Sequence, residues 1–259
     1  MVRGLYTAWT GMLNEQKRLD VISNNLANAN TTAYKTQGVT SQSFDEQLAI
    51  KINDKTDTYL QRRIGSFNLG VKIGETYNDY TQGNLKETGN SYDLALEGSG
   101  FFTVSTTDKN GDTHTRYTRD GSFTLNAEGY LVTKDGDYLL GNKGNRIQIP
   151  NSASATVTID FGGNVYANNT LVSNLDIVDF ENMEAVSNYG ENMYEATDEA
   201  GIKDSTAKVQ QGYLETSNVN VVSEMVDMIS ITRAYETNQK MIQTVDKTLD
   251  KAVNDIGRI

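Results

Sequence analysis

The sequence predicts an α+β chain: a helical, coiled-coil-like domain made from paired N- and C-terminal helices, and a β-rich antiparallel sandwich or barrel between them. Three observations carry this. Glycine is concentrated in the middle, apolar residues recur at spacings of three and four at both ends, and turn residues recur roughly every eight to twelve positions in between.

Of the 22 glycines, 19 lie between Gly38 and Gly212; Met12 to Gln37 and Tyr213 to Ile256 contain none. The sole proline, Pro150, is central as well. Both residues punctuate turns and weaken helix interiors, so the ends read as helical and the middle as turn-rich. Charge divides in the same way. Residues 1–35 carry four Lys/Arg against two Asp/Glu, and residues 219–259 carry five against six. With a total of −11, the middle holds −11 − 2 + 1 = −12. Nearly neutral ends suit packing against copies of themselves, and an acidic middle suits a mutually repelling outer surface.

In the C-terminal segment Met228, Ile231, Tyr235, Asn238, Ile242, Val245, Leu249, Ala252 and Ile256 alternate spacings of three and four. This is a heptad seam with one polar interruption, Asn238, which either sets register or faces solvent. Val221, Val222, Met225 and Ile229 widen the stripe at its start. Asn220 is placed to cap the helix, Glu224 sits near its positive end, and Gly257 is a stop. In the N-terminal segment Leu5, Met12, Leu19 and Leu26 fall seven apart, with Ala8 and Ile22 on the same face and Glu15 as the exception. The Asn/Thr-rich run from Ser23 to Thr32 then ends the helix near Asn28. Neither stripe offsets by itself the entropy of ordering its segment, so the stripes need partners, either each other or other copies.

The middle reads as a train of short strands. Gly83, Gly98, Asn110-Gly111, Asp120-Gly121, Gly129 and Asp135-Gly136 separate β-type segments such as Phe101–Val104, Ser122–Leu125, Tyr130–Val132 and Tyr138–Leu140. A second group follows, with Thr156–Phe161, Val165-Tyr166 and Leu175–Phe180. Residues 36–75 read as extended, hairpin-like connecting structure. The expected organisation is a discontinuous helical domain (1–35 and 215–259), a connector (36–75) and a β-rich domain (76–214).

Composition excludes several functions. The net charge of −11 opposes nucleic-acid binding, and no apolar run exceeds three residues, so no membrane insertion is expected. The absence of cysteine removes disulfides and thiolate chemistry, and a lone His114 leaves no multi-histidine metal site. Asp108 to Thr113 begins like an EF-hand loop, but Thr113 and Arg119 stand where Gly and Glu are required; a hairpin turn accounts for the same residues. Gly141 to Arg146 lacks the spacing of a phosphate loop. Asp120 and Glu128 are the kind of carboxylate pair a glycosidase would use, yet surplus carboxylates usually form a solvated face. His114 reads as a surface strand residue. The 14 tyrosines suit sheet packing, with a sugar-binding surface as the other reading. No catalytic, cofactor or metal residues are nominated.

Specific runs narrow the choice. Asp20 to Lys35 (DVISNNLANANTTAYK) resembles the N-terminal signature of the flagellar basal-body rod and hook family. Thr81 to Asn90, Asp93 to Phe102 and Tyr117 to Phe123 are similar to its middle domain, and Gln211 to Asn220, continuing through Glu236, is similar to its C-terminal signature. The matches cover nearly the whole chain in family order, and the Tyr213 to Asn220 run looks most like distal-rod members. Ala33 departs from the usual Gly, which implies a less sharply bent turn before Tyr34, and Ser91 departs from a common Pro.

The resemblance implies a structural subunit without enzymatic activity or cofactor, polymerising helically with itself into a hollow, torque-transmitting shaft between motor and hook. It implies type III export without a cleavable signal. It implies contacts with other rod and hook proteins, with the export apparatus and with a surrounding bushing ring, and a place in the basal body within the cell envelope. The expected assembly interface is Leu5, Met12, Leu19, Ile22, Leu26, Met225, Met228, Ile231, Tyr235, Asn238, Ile242, Val245, Leu249 and Ile256. A proximal-rod or hook-type subunit is the neighbouring alternative, and a monomeric cell-surface carbohydrate-binding module is the alternative of a different class.

Overall fold

A computed structural model of the chain describes residues 2–50, 63–108, 111–150, 156–190 and 192–256. The chain divides into two compact units, one containing Met1–Ala27, Gln37–Asn78 and Asn220–Ile259, the other Asn28–Thr36 and Asp79–Val219. Helix and strand are therefore both present, helices at the two ends and strands between.

The first unit holds helices α1 (Val2–Ala27) and α2 (Val221–Lys251), the latter closing in a π-type turn at Ala252–Ile256. The Asn220 side chain accepts hydrogen bonds from the Val222 and Ser223 amides, at 3.1 and 3.3 Å, and Glu224 lies in the first turn. Both features satisfy or offset the exposed amides of the helix start. Gly257 lies outside the described residues.

Two antiparallel ladders complete this unit. Strand β1 (Gln37–Ser43) pairs with β4 (Val71–Asn78), and β2 (Gln47–Ile50) pairs with β3 (Arg63–Phe67). The stretch read as an extended connector thus contains paired strands. They lie against α1: Ser41 Oγ donates to Asn14 Oδ1 at 3.1 Å, and Thr7 Oγ1 donates to the Leu69 carbonyl at 3.5 Å.

The second unit is organised around one strand buried on both sides. Strands β5 (Leu85–Glu87), β6 (Leu94–Glu97), β7 (Phe101–Thr107) and β8 (Thr113–Thr118) open it. β7 pairs antiparallel with β8, with Tyr138–Gly141 and with Ile177–Phe180. Successive strand side chains point to opposite faces, so β7 serves two cores. Phe102 and Val104 enter one core with Leu94, Leu96, Phe123, Leu139 and Val165. Phe101 enters the other with Tyr117, Val178, Phe180 and Tyr194. Ring centroids lie 5.3 Å apart for Phe102–Phe123 and for Phe101–Tyr194, in edge-on geometry. Tyr34, Tyr117 and Tyr194 are buried, which assigns these tyrosines to packing. The return strands Lys208–Gln211 and Tyr213–Glu215 pair with β6 and β5.

One expectation fails at Ala33. Its φ is +56°, the left-handed region that glycine adopts freely, so the turn is as sharp as a glycine would make it and alanine is strained there. The surroundings hold it in place: the Ala33 amide donates to the Glu215 carbonyl at 2.9 Å, and Ala33 is buried.

Candidate assembly surface of the helical unit

The helices pair with each other, antiparallel and in a definite register. The position of a Cβ built on Gly11 would be 3.0 Å from Asn238 Nδ2, and Asn25 Nδ2 lies 3.4 Å from Glu224 Oε2. The separations agree, since 25 − 11 and 238 − 224 are both 14. Asn238 therefore lies half-buried against the partner helix, where Gly11 leaves room for its amide.

The expected interface residues separate into two groups. Met228, Tyr235, Asn238, Ile242, Val245 and Leu249 are half-buried, Ile231 is buried at 3% exposure, and Leu5, Met12, Leu19, Ile22 and Leu26 are half-buried. These share the faces turned toward each other. Met225 does not. With Val222, Val226 and Ile229 it is exposed, the four spaced i, i+3, i+4 and i+7. At about 100° per residue this strip lies far round α2 from the seam. The residues read as widening the stripe instead form a second face, because a single neighbouring helix covers only a narrow arc. The side chain of Ile256 lies outside the described residues.

Sequence reasoning missed the counterpart on α1. Tyr6, Trp9 and Leu13 are exposed, and with Thr10, Asn14, Phe44, Val71, Lys72 and Ile73 they line a groove of about 300 Å³. Their own spacing of three and four was the available signal, but the heptad through Leu5 and Met12 is longer and masks it.

The family-like runs of the β-rich unit meet at one buried charge cluster. Lys35 Nζ donates to Glu215 Oε1 and to the Thr81 carbonyl, the latter at 2.7 Å. Arg119 Nη1 lies 3.4 Å from Glu215 Oε2, and the Gly83 amide donates to Glu215 Oε1 at 2.9 Å. A Cβ on Gly83 would fall 2.0 Å from the Thr216 carbonyl oxygen, so only glycine fits. Burial pulls the Lys35 amine below its ordinary value, and the attraction of Glu215 opposes it. Asn218 adds a second clamp, accepting from the Thr36 amide and donating to the Asp79 carbonyl, both at 2.8 Å. These contacts fasten residues 33–36 to the return strand; they are structural rather than reactive.

The considered chemical sites resolve similarly. Asp120 accepts from the Ser122 amide and hydroxyl, at 3.0 and 2.7 Å, closing a turn, and Glu128 is exposed at another turn. His114 is half-exposed on β8, 3.4 Å from Asp108. The Asp108 and Gly111 amides close the hairpin turn there, while residues 109–110 lie outside the description. A polar cleft of about 720 Å³ is lined by Asp108, Arg116, Asp120, Asp135, Asp137 and Tyr189 among others. In it, burial and then Asp135 raise the Asp137 carboxyl above its ordinary range. Among the described residues no group of three or more His, Cys, Asp or Glu is arranged to hold a metal ion, and no helix is long and apolar enough to cross a membrane.

Two paired terminal helices with uncovered apolar faces, joined to a self-contained β-rich unit, define a structural subunit. Residues 5–35 match the family described as Flagella basal body rod protein. Residues 95–167 match the Flagellar hook protein FlgE/F/G D1 domain, and residues 210–255 match the Flagellar basal body rod FlgEFG protein C-terminal family. The chain is 36% identical to the flagellar basal-body rod protein FlgG of Buchnera aphidicola subsp. Acyrthosiphon pisum, covering 97% of this chain and 98% of that protein. It is 36% identical to FlgG of Agrobacterium fabrum, covering 95% and 96%, and 32% identical to the basal-body rod protein FlgF of Caulobacter vibrioides over the full length of both. The chain belongs to the flagellar basal-body rod protein family, a family of structural subunits rather than enzymes.

Proposed function

We propose that this chain is a distal-rod subunit that stacks helically into a hollow shaft carrying torque between motor and hook. The observation that carries the reading is the apolar surface left open on both paired helices, Tyr6, Trp9 and Leu13 on one and Val222, Met225, Val226 and Ile229 on the other. Surface of this kind on an exported polar chain calls for partners. Similarity to relatives named FlgG supports the distal position. In the shaft, the α1–α2 seam supercoils as a coiled-coil-like layer, and the β-rich domain is a sandwich or barrel in its strand arrangement. The partners are further copies, other rod and hook proteins, the export apparatus that delivers the chain, and a bushing ring around the shaft.

Deleting residues 1–30 or 222–259 tests this. The expected result is a chain that keeps its β signal by circular dichroism and forms no polymer by electron microscopy. A truncated chain that still forms shafts overturns the reading.

A further inference from the structure

The two uncovered faces of the helical unit differ in form. The α1 face is a groove walled by Tyr6, Trp9 and Leu13 on one side and Phe44, Val71 and Ile73 on the other. The α2 face is a ridge of Val222, Met225, Val226 and Ile229, exposed by 72, 47, 57 and 54%. Each lies about 120–180° round its helix from the seam positions Ile231 and Gly11, counting 3.6 residues per turn. The two faces therefore turn away from each other, and one copy cannot cover its own groove with its own ridge. Their charges are opposite as well. Lys72 stands at the groove, whereas the exposed Asp227 stands beside the ridge, with no Lys or Arg before Arg233 in α2.

We propose that the α2 ridge of one copy seats in the α1 groove of a second copy, Met225 and Ile229 entering between Trp9 and the β4 side chains Val71 and Ile73. This deepens the rod-subunit reading and rests on it. A groove meeting a ridge is a heterologous contact, which does not close on itself and therefore propagates. The methionine suits an aromatic-walled slot, because its unbranched side chain adapts and sulfur packs well on ring edges. The register fixes an offset too. Glu224 is level with Asn25 and Asn238 with Gly11, so the ridge lies some fourteen residues along the pair from the groove. At 1.5 Å per residue, neighbouring copies with parallel helix pairs are staggered by about 20 Å.

The absence of cysteine makes the test clean. Leu13→Cys and Met225→Cys chains are mixed, polymerised and oxidised. The expected result is a disulfide-linked dimer in the mixture that neither variant gives alone and that unpolymerised monomers do not give. A second variant, Met225→Glu, is expected to raise the concentration needed for polymer at least tenfold while leaving the helical signal of the monomer unchanged. Polymer that forms without the mixed dimer, or that tolerates Met225→Glu, overturns the contact while leaving the rod reading intact. If the unmodified chain alone forms no polymer, the contact falls together with that reading.

Discussion

In the β-rich unit Phe101, Phe102, Val104 and Leu139 are fully buried, and two hydrophobic clusters, one mostly aliphatic and one rich in aromatic rings, flank a single strand. In the helical unit the buried apolar residues among those described are Ala8 and Ile231. Large apolar side chains there are mostly half-buried or exposed, Trp9 and Val222 included. The β-rich unit has a finished core. The helical unit has half of one, since two helices laid side by side shield only the arc where they touch. The lesson is that stability and assembly are assigned to different parts of the same chain. The acidic β-rich unit carries its own closed cores, and the nearly neutral helices keep surface in reserve.

The largest expected effect breaks that division on the β side. Phe102→Ala removes a ring from a closed core and should cost about 3–5 kcal/mol, read as a drop in the β-unit melting transition. Ile231→Ala, on the only buried apolar position of α2, should lower the helical signal and leave that transition in place. If both variants melt the chain together, the two units are one cooperative core and the comparison fails.

Next is the buried charge cluster. Glu215→Gln leaves Lys35 and Arg119 without their counter-charge at positions almost sealed from solvent, and should cost about 3–5 kcal/mol by chemical denaturation. The same cluster gives a pH signature. Because burial lowers the Lys35 value in the folded state, the unfolded chain holds more protons below 10.5. Stability should therefore rise with pH in the alkaline range below that value, until tyrosine ionisation reverses it. Lys35→Met should flatten the rise.

The smallest effect has the opposite sign. Ala33→Gly relieves a left-handed alanine worth about 1–2 kcal/mol of strain and adds about 0.5–1 kcal/mol of chain entropy. A net gain of about 0.5–1 kcal/mol is expected in the β-unit transition, and a loss would show that the Cβ packs usefully at this buried site.

Much of this architecture is legible in the sequence. The heptad from Met228 to Leu249 falls on the face that meets α1, and Asn220 caps α2 as its side-chain chemistry dictates. Periodicity reports a face reliably when one partner covers it. It does not report how wide that partner is, which is why Val222, Met225 and Ile229 read as an extension of the seam. Nor does it report neighbours distant in sequence. Nothing local tells that Lys35, Gly83, Arg119 and Glu215 converge, because each lies in a short segment whose pattern is that of an ordinary turn or strand.

The sequence by itself determined the start of α2 at Asn220, the end of α1 near Asn28, several of the middle strands, and the separation of a neutral from an acidic part. These follow from local properties: glycine placement, side-chain period and capping chemistry. The tertiary structure alone decided which apolar face of each helix is spent within the chain and which remains open, and that a buried Glu215 ties together residues 96 and 180 positions away in sequence. Burial and charge pairing depend on what lies across space, and a linear pattern carries no record of it.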